Sequence, residues 1–304
     1  TLERVRLLQE GVKSTLRLGR HEQAQDYAER IERELRIGGL TDWADAVRTL
    51  GPMLYVPGNI DVDAVARLAA SVGDAEPAAA VQLLGLLASG HLMAGDAERA
   101  VATAQHLARV GRSSHQLDDQ VNATMSAVRV YRAVGLVDEA ADELRSTLAL
   151  PVSRGARATL VLESAQLAAS RGEFDAALTL ADEAIERFGA MGSRLGIVQA
   201  SLVAAAVLND LGRPDDAVLR AHVAMRHSRL ADLPPMDALL ALGTYQRAAG
   251  LPLDAAHTFE DLAEVEQQAG VEAQSVARTY LLLASSAREG SDLNRAYAAL
   301  GAGL

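Results

Sequence analysis

Gly172-Glu173-Phe174-Asp175-Ala176-Ala177 is the stretch on which the fold turns. A glycine closes one helical pattern, two acids and an aromatic follow, and an alanine lands five residues after the glycine. The same interval recurs as Gly19/Ala24, Gly95/Ala100, Gly135/Ala140, Gly212/Ala217 and Gly250/Ala255. Versions with the alanine six residues on stand at Gly58/Ala64 and Gly290/Ala296. These eight glycines are 39, 37, 40, 37, 40, 38 and 40 residues apart. A near-constant period of this size marks a stacked helical array, in which each unit buries its apolar face against the next.

Each unit reads as two antiparallel helices. Helix A runs up to the marker glycine, which supplies the left-handed conformation that ends it. Helix B follows within a few residues and carries the marker alanine. Acids crowd its first turn, at Asp96/Glu98, Asp138/Glu139, Glu173/Asp175 and Asp215/Asp216. Negative charge there complements the positive end of the helix dipole, so the recurring acid pairs need no catalytic explanation. Pro77, Pro214 and Pro252 sit at helix starts, where the missing N–H costs nothing.

The A helices are predicted near 2–18, 76–94, 114–134, 153–171, 193–211, 234–249 and 271–289. The B helices are predicted near 21–37, 61–72, 96–110, 137–149, 174–188, 214–230, 252–268 and 291–301. A capped helix start at Thr41 and a looped 51–60 make the second unit irregular. No stretch alternates with period two, so no strand is assigned. Small residues recur seven before the marker, at Ala88, Ala165, Ala205 and Gly243, as close packing of A on B requires. The expectation is one all-α solenoid over 1–304, a right-handed superhelix of about eight units. It is less regular over 1–75, regular over 76–289, and capped by a helix in 290–304.

The net charge of -11 and 3% aromatic content disfavour nucleic-acid binding, which wants a basic stripe and stacking rings. Acidity itself reads first as solubility, and second as an acidic face for a basic partner. Lys13 is the only lysine, a trait of a GC-rich coding sequence more than of function. With no cysteine, disulfides and thiolate metal sites are excluded. No apolar run reaches membrane-spanning length and no signal peptide opens the sequence, so a cytoplasmic location is expected. The abrupt start also suits a segment of a larger protein.

Phosphate-binding, dinucleotide and serine-nucleophile motifs are missing. His21-Glu22 opens like a zinc helix, but Gln25 stands where the second histidine belongs. His222 and His227 are five apart, off a shared face. The Asn122-Ala123-Thr124 sequon falls inside a predicted helix and reads as chance. No cofactor and no catalytic residue are assigned.

Gly172-Glu173-Phe174 with Ala177, Ala181 and Ala184, and Gly212 with Ala217, Ala221 and Ala224, resemble the second half of the tetratricopeptide repeat. The resemblance spans the whole chain, although the period exceeds the family's usual length of about 34 residues. The aromatic that usually opens helix A is missing. The long, alanine-rich units are similar to the divergent solenoids of bacterial regulators, such as the sensor ends of signalling ATPases and the C-terminal arrays of pathway activators.

The resemblance implies that A helices line a concave groove through positions 13, 10, 6 and 3 before each marker glycine. That register selects Gln82, Ser89, Asn122, Met125, Arg129, Arg132, Thr159, Gln166, Gln199, Asn209, Thr244, Arg247 and Tyr280. The favoured groove residues are Asn122, Arg129, Arg132, Gln166, Gln199, Asn209 and Arg247. Arginine's planar donors suit a carboxylate or phosphate; a hydrated groove laced with Arg–Glu pairs is the plainer alternative. Two functions remain open at this point. One is a non-enzymatic protein- or peptide-binding scaffold within a larger regulatory protein. The other is a domain of a transcription regulator or signalling ATPase that senses a small-molecule effector. Homo-oligomerisation through the last helix, with Leu293, Tyr297 and Leu300, is an added possibility.

Overall fold

A computed structural model describes residues 21–37, 62–72 and 77–303, and these residues contain helices and no strand. We number the helices α1 (His21–Ile37), α2 (Val62–Val72), α3 (Pro77–Met93), α4 (Ala97–Ser113), α5 (Leu117–Ala133), α6 (Val137–Leu148) and α7 (Arg154–Ser170). There follow α8 (Phe174–Ala190), α9 (Arg194–Asp210), α10 (Pro214–Leu230), α11 (Met236–Ala248), α12 (Pro252–Gln268), α13 (Ala273–Glu289) and α14 (Leu293–Ala302). The predicted helix 2–18, the capped start at Thr41, the 51–60 loop and the markers Gly19 and Gly58 lie outside the described residues.

The chain divides into two compact units, Thr1–Glu163 and Ser164–Leu304. In the first, α2 to α6 pack each on the next, and the A helices α3 and α5 also touch. In the second, α8 to α14 do the same, with contact between the A helices α9 and α11. This is an all-α solenoid of tetratricopeptide-like repeats.

The marker glycines do what the sequence asks of them. Gly95, Gly135, Gly172, Gly212 and Gly250 all have φ between 72° and 81°. The residue after each then donates its N–H back five residues, as in Glu173 N to Ala168 O at 2.9 Å and Leu251 N to Gln246 O at 2.8 Å. This is the Schellman closure, which satisfies carbonyls that a helix end leaves open. The expected marker at Gly290 is displaced by one. Gly290 keeps φ -80° as the helix cap, and Ser291 takes φ 64°. Measured from Ser291, Ala296 stands at the usual interval of five, so the loose version of the pattern is a regular one with serine in the glycine's place. B helices end in the same way at Gly192 (φ 67°), Asp232 (φ 53°) and Gly270 (φ 67°).

Helix starts are supported unevenly. Asp96 and Asp292 accept the N–H of Arg99 and Arg295 at 3.0 Å. The Glu173 side chain makes no capping bond, so its contribution is dipole compensation alone. The marker alanines form the seam between helices. Ala100, Ala140, Ala177, Ala217 and Ala255 are fully buried, as are Ala88, Ala165 and Ala205 seven before the markers. Helix α4 runs to Ser113, past its predicted end at 110, and Gly111 within it lies so close to the Ala123 side chain that a Cβ there would strike it.

Candidate functional site

With the buried faces set by alanine and leucine, the remaining faces of the A helices carry the polar residues. In the first unit, Asn122 and Arg129 are exposed on α5 and Arg132 is half-buried. In the second, Gln166 on α7 and Asn209 on α9 are half-buried, Gln199 on α9 is exposed, and Arg247 on α11 is half-buried. Of the other selected positions, Gln82, Ser89 and Thr244 are exposed, Thr159 and Tyr280 are half-buried, and Met125 is core. The hydroxyls of Ser89, Thr159 and Thr244 each bond the carbonyl four residues back, at 3.0, 3.1 and 2.7 Å. They are therefore turned into their own helices.

Two ion-pair groups link successive A helices. In the first unit, Glu163 of α7 lies between two arginines of α5. Arg129 Nε is 4.0 Å from its Oε1, and Arg132 Nη1 is 3.6 Å from its Oε2. In the second, Arg247 Nη2 of α11 meets Glu289 Oε1 of α13 at 2.6 Å, with Ser285 Oγ 3.2 Å from the same oxygen. The Arg247 hydrogen bond holds the Glu289 carboxyl below the usual carboxylate range. Sequence reasoning missed Glu163, Ser285 and Glu289. The available signal was an opposite charge about one repeat downstream of each groove arginine.

Pairing alone does not mark a site. B helices are tied together in the same way, by Arg112–Glu143 at 2.6 Å, Arg220–Asp182 at 2.7 Å and Arg295–Glu260 at 2.8 Å. What separates this group is that two arginines share one acid, Glu163, whose side chain is 10% exposed, while Arg129 stays 60% exposed at 4.0 Å from it. The Arg129 guanidinium is open to solvent, and its acid is buried.

Glu163 is held against its own solvation. Its Oε2 is buried and makes no hydrogen bond among the described residues. Burial raises its pKa, and the opposing pulls of Arg132 and then Arg129 do not cancel that. A carboxyl with a raised folded pKa binds more protons folded than unfolded. Its stabilising contribution is complete below the unfolded value, near 4.3, and is lost as pH rises through the folded one. Glu163→Gln, which fixes the neutral form, is therefore expected to melt at or above the wild-type temperature at pH 7.5. The difference should shrink at pH 4. Thermal melts followed by circular dichroism at both pH values check this; a lower midpoint for the variant at pH 7.5 would mean that the arginine pairs outweigh burial.

A cavity of about 150 Å³ in the first unit is lined by Ala108, Arg112, Gln120, Thr124, Ser146, Thr147 and Leu150. Its polar groups are already engaged, with Thr124 and Thr147 sharing a 2.7 Å hydroxyl bond and Arg112 held by Glu143. Among the described residues no three acids or histidines converge to hold a metal ion. No described helix is long and apolar enough to cross a membrane.

No family model matches the chain, and no curated protein matches it in sequence. Solved structures do match in fold. The chain is similar to a signal transduction ATPase with numerous domains and a tetratricopeptide repeat sensor, from Pyrococcus horikoshii. That match has TM-score 0.65 at 12% identity over 98% of this chain, but takes in only 47% of that protein. A Rap protein complexed with competence and sporulation factor aligns over 99% of this chain and 75% of its own length, with TM-score 0.61 and 12% identity. BtubC (BKLC) from P. vanneervenii aligns over 69% and 87%, with TM-score 0.57 and 15% identity. At these identities the likeness establishes the fold.

Proposed function

We propose that the chain is a non-enzymatic binding scaffold whose polar A-helix faces take a peptide or protein segment, as part of a larger bacterial regulatory protein in the cytoplasm. The observation that carries this reading is the exposed guanidinium of Arg129 beside a buried acid, Glu163, that it shares with Arg132. An exposed guanidinium standing near a buried acid keeps planar donors free for a carboxylate or a backbone carbonyl. Arg247, half-buried and held by Glu289, is the corresponding anchor in the second unit. The fold is shared with a Rap protein solved in complex with a signalling factor, which supports a segment as ligand.

A second reading is an effector-sensing domain of a transcription regulator or signalling ATPase that binds a small molecule. It is favoured by the alignment of nearly the whole chain with half of the ATPase that carries a repeat sensor.

The test is a selection from a random-peptide display library. Selected peptides are expected to bind the wild type saturably, and to lose about tenfold or more in affinity on Arg129→Glu or on Arg247→Glu. Arg129→Gln serves as the companion variant, because glutamate at 129 would also repel Glu163. Selected peptides that bind all variants equally would refute the A-helix reading.

A further inference from the structure

Five of the eleven arginines in the second unit are held in short ion pairs. Arg187 pairs with Glu183, Arg213 with Asp216, Arg220 with Asp182, Arg247 with Glu289 and Arg295 with Glu260, all between 2.6 and 2.8 Å. The C-terminal end of α10 is different. Arg226 and Arg229 are exposed there, and Arg194, the first residue of α9, donates to the Leu230 carbonyl at the same end. None of the three makes an ion pair with an acid among the described residues. Between them lies His227, with a buried Nδ1 that has no hydrogen-bond partner. Burial, and then the positive charges of Arg226 and Arg194, hold that imidazole below its usual pKa.

The helix dipole does not account for this concentration. A helix C-terminus carries about half a negative charge, against three guanidinium groups. Nor is the arrangement favourable for α10 itself, since like charges at intervals of three and four along a helix repel. Leu219, His222, Arg226 and Arg229 follow at i, i+3, i+7 and i+10, and all four are exposed. They form one stripe about 15 Å long on the solvent side of a B helix. Leu219 is 63% exposed at one end of the stripe, and Leu230 is 52% exposed next to Arg229 at the other.

We propose that this face of α10 is a second docking surface, built for an acidic amphipathic helix of a protein partner. The guanidinium forks of Arg226 and Arg229, one turn apart, receive two carboxylates spaced three or four residues along the partner helix. Arg194 adds charge at the same end, and Leu219 and Leu230 offer apolar contact to either side. A nucleic acid is the poorer occupant. Two arginines neutralise few phosphates, and no Phe, Tyr or Trp ring stands in the stripe for a base to stack on. The surface lies on a B helix and is independent of the A-helix site.

The experiment is fluorescence anisotropy with a labelled helical peptide, rich in alanine, carrying glutamates at i and i+4 and a flanking leucine. It is titrated with the 304-residue chain at low salt. Saturable binding is expected, weakening as salt rises. The variant Arg226→Glu/Arg229→Glu is expected to lose about tenfold or more, Arg145→Gln on the exposed face of α6 nothing, and a peptide with glutamine for glutamate is expected not to bind. If the double charge reversal fails to fold, Arg226→Gln/Arg229→Gln reads the same loss. Failure of the wild type to bind, equal binding by the double variants, an equal loss on Arg145→Gln, or preference for a single-stranded oligonucleotide over the peptide would each overturn the proposal.

Discussion

Ala177→Trp is expected to cost the second unit at least about 3 kcal/mol of stability, while Ala176→Trp, one residue away, should cost little. Ala177 is fully exposed to its neighbours and not at all to water; it packs with Ala168 and Val207, and Leu178 and Leu211 fringe the same cluster. The interior is packed at a density near 0.75 and has no room for an indole, so α8 must move away from its partners. Ala176 points to solvent. Urea titrations of the two variants separate the predictions. Equal midpoints would mean that the marker alanine is not a contact between helices.

The second large effect lies in the cluster around Phe259. This ring has no exposed surface and packs among Leu239, Leu262, Leu283, Ala284 and Ala287. Phe259→Ala is expected to cost about 3–5 kcal/mol through lost burial and the cavity left behind. Gly243 on α11 faces the same ring, and a Cβ at 243 would come within 2.7 Å of Phe259 Cε1. Gly243→Ala should therefore destabilise the wild type by about 1–3 kcal/mol, although alanine is the better helix former by about 1 kcal/mol. In the Phe259→Ala background the obstacle is gone, and the same substitution should stabilise. A double-mutant cycle measured by urea unfolding reads this coupling. Additive effects would remove Phe259 as the reason for glycine at 243.

These positions show why the fold could be read so far from the residues. A left-handed helix end strongly favours glycine, and a close helix crossing favours alanine, so both leave their mark at fixed intervals in the chain. Reading weakened where another residue tolerates the same geometry. Ser291 and Asp232 occupy left-handed positions without being glycine, which hid one marker and the regular ends of the B helices. A glycine inside a helix also reads as an end when it serves a close crossing, as Gly111 does beside Ala123.

The candidate site was legible only in half. The register that the tetratricopeptide resemblance implies selected Arg129, Arg132 and Arg247 on A helices, where all three are at least partly exposed. Their acids, Glu163 and Glu289, depend on which neighbouring helix lies alongside and at what height, information that a repeat of single residues does not contain. The basic end of α10 escaped for a related reason. Arg194 joins Arg226 and Arg229 only because α9 and α10 run antiparallel, which brings the start of one helix to the end of the other.

Two sets of charges look alike in the sequence: the acids after each marker glycine stand at helix starts, and the arginines of the A helices are the residues proposed to bind. One measurement tests that division most directly: the affinity of a display-selected peptide for the wild type, for Glu173→Gln/Asp175→Asn, and for Arg129→Glu and Arg247→Glu. The account predicts wild-type affinity for the loop variant and a loss of about tenfold or more for one of the arginine variants. Loss of binding in the loop variant with full affinity in both arginine variants would contradict it.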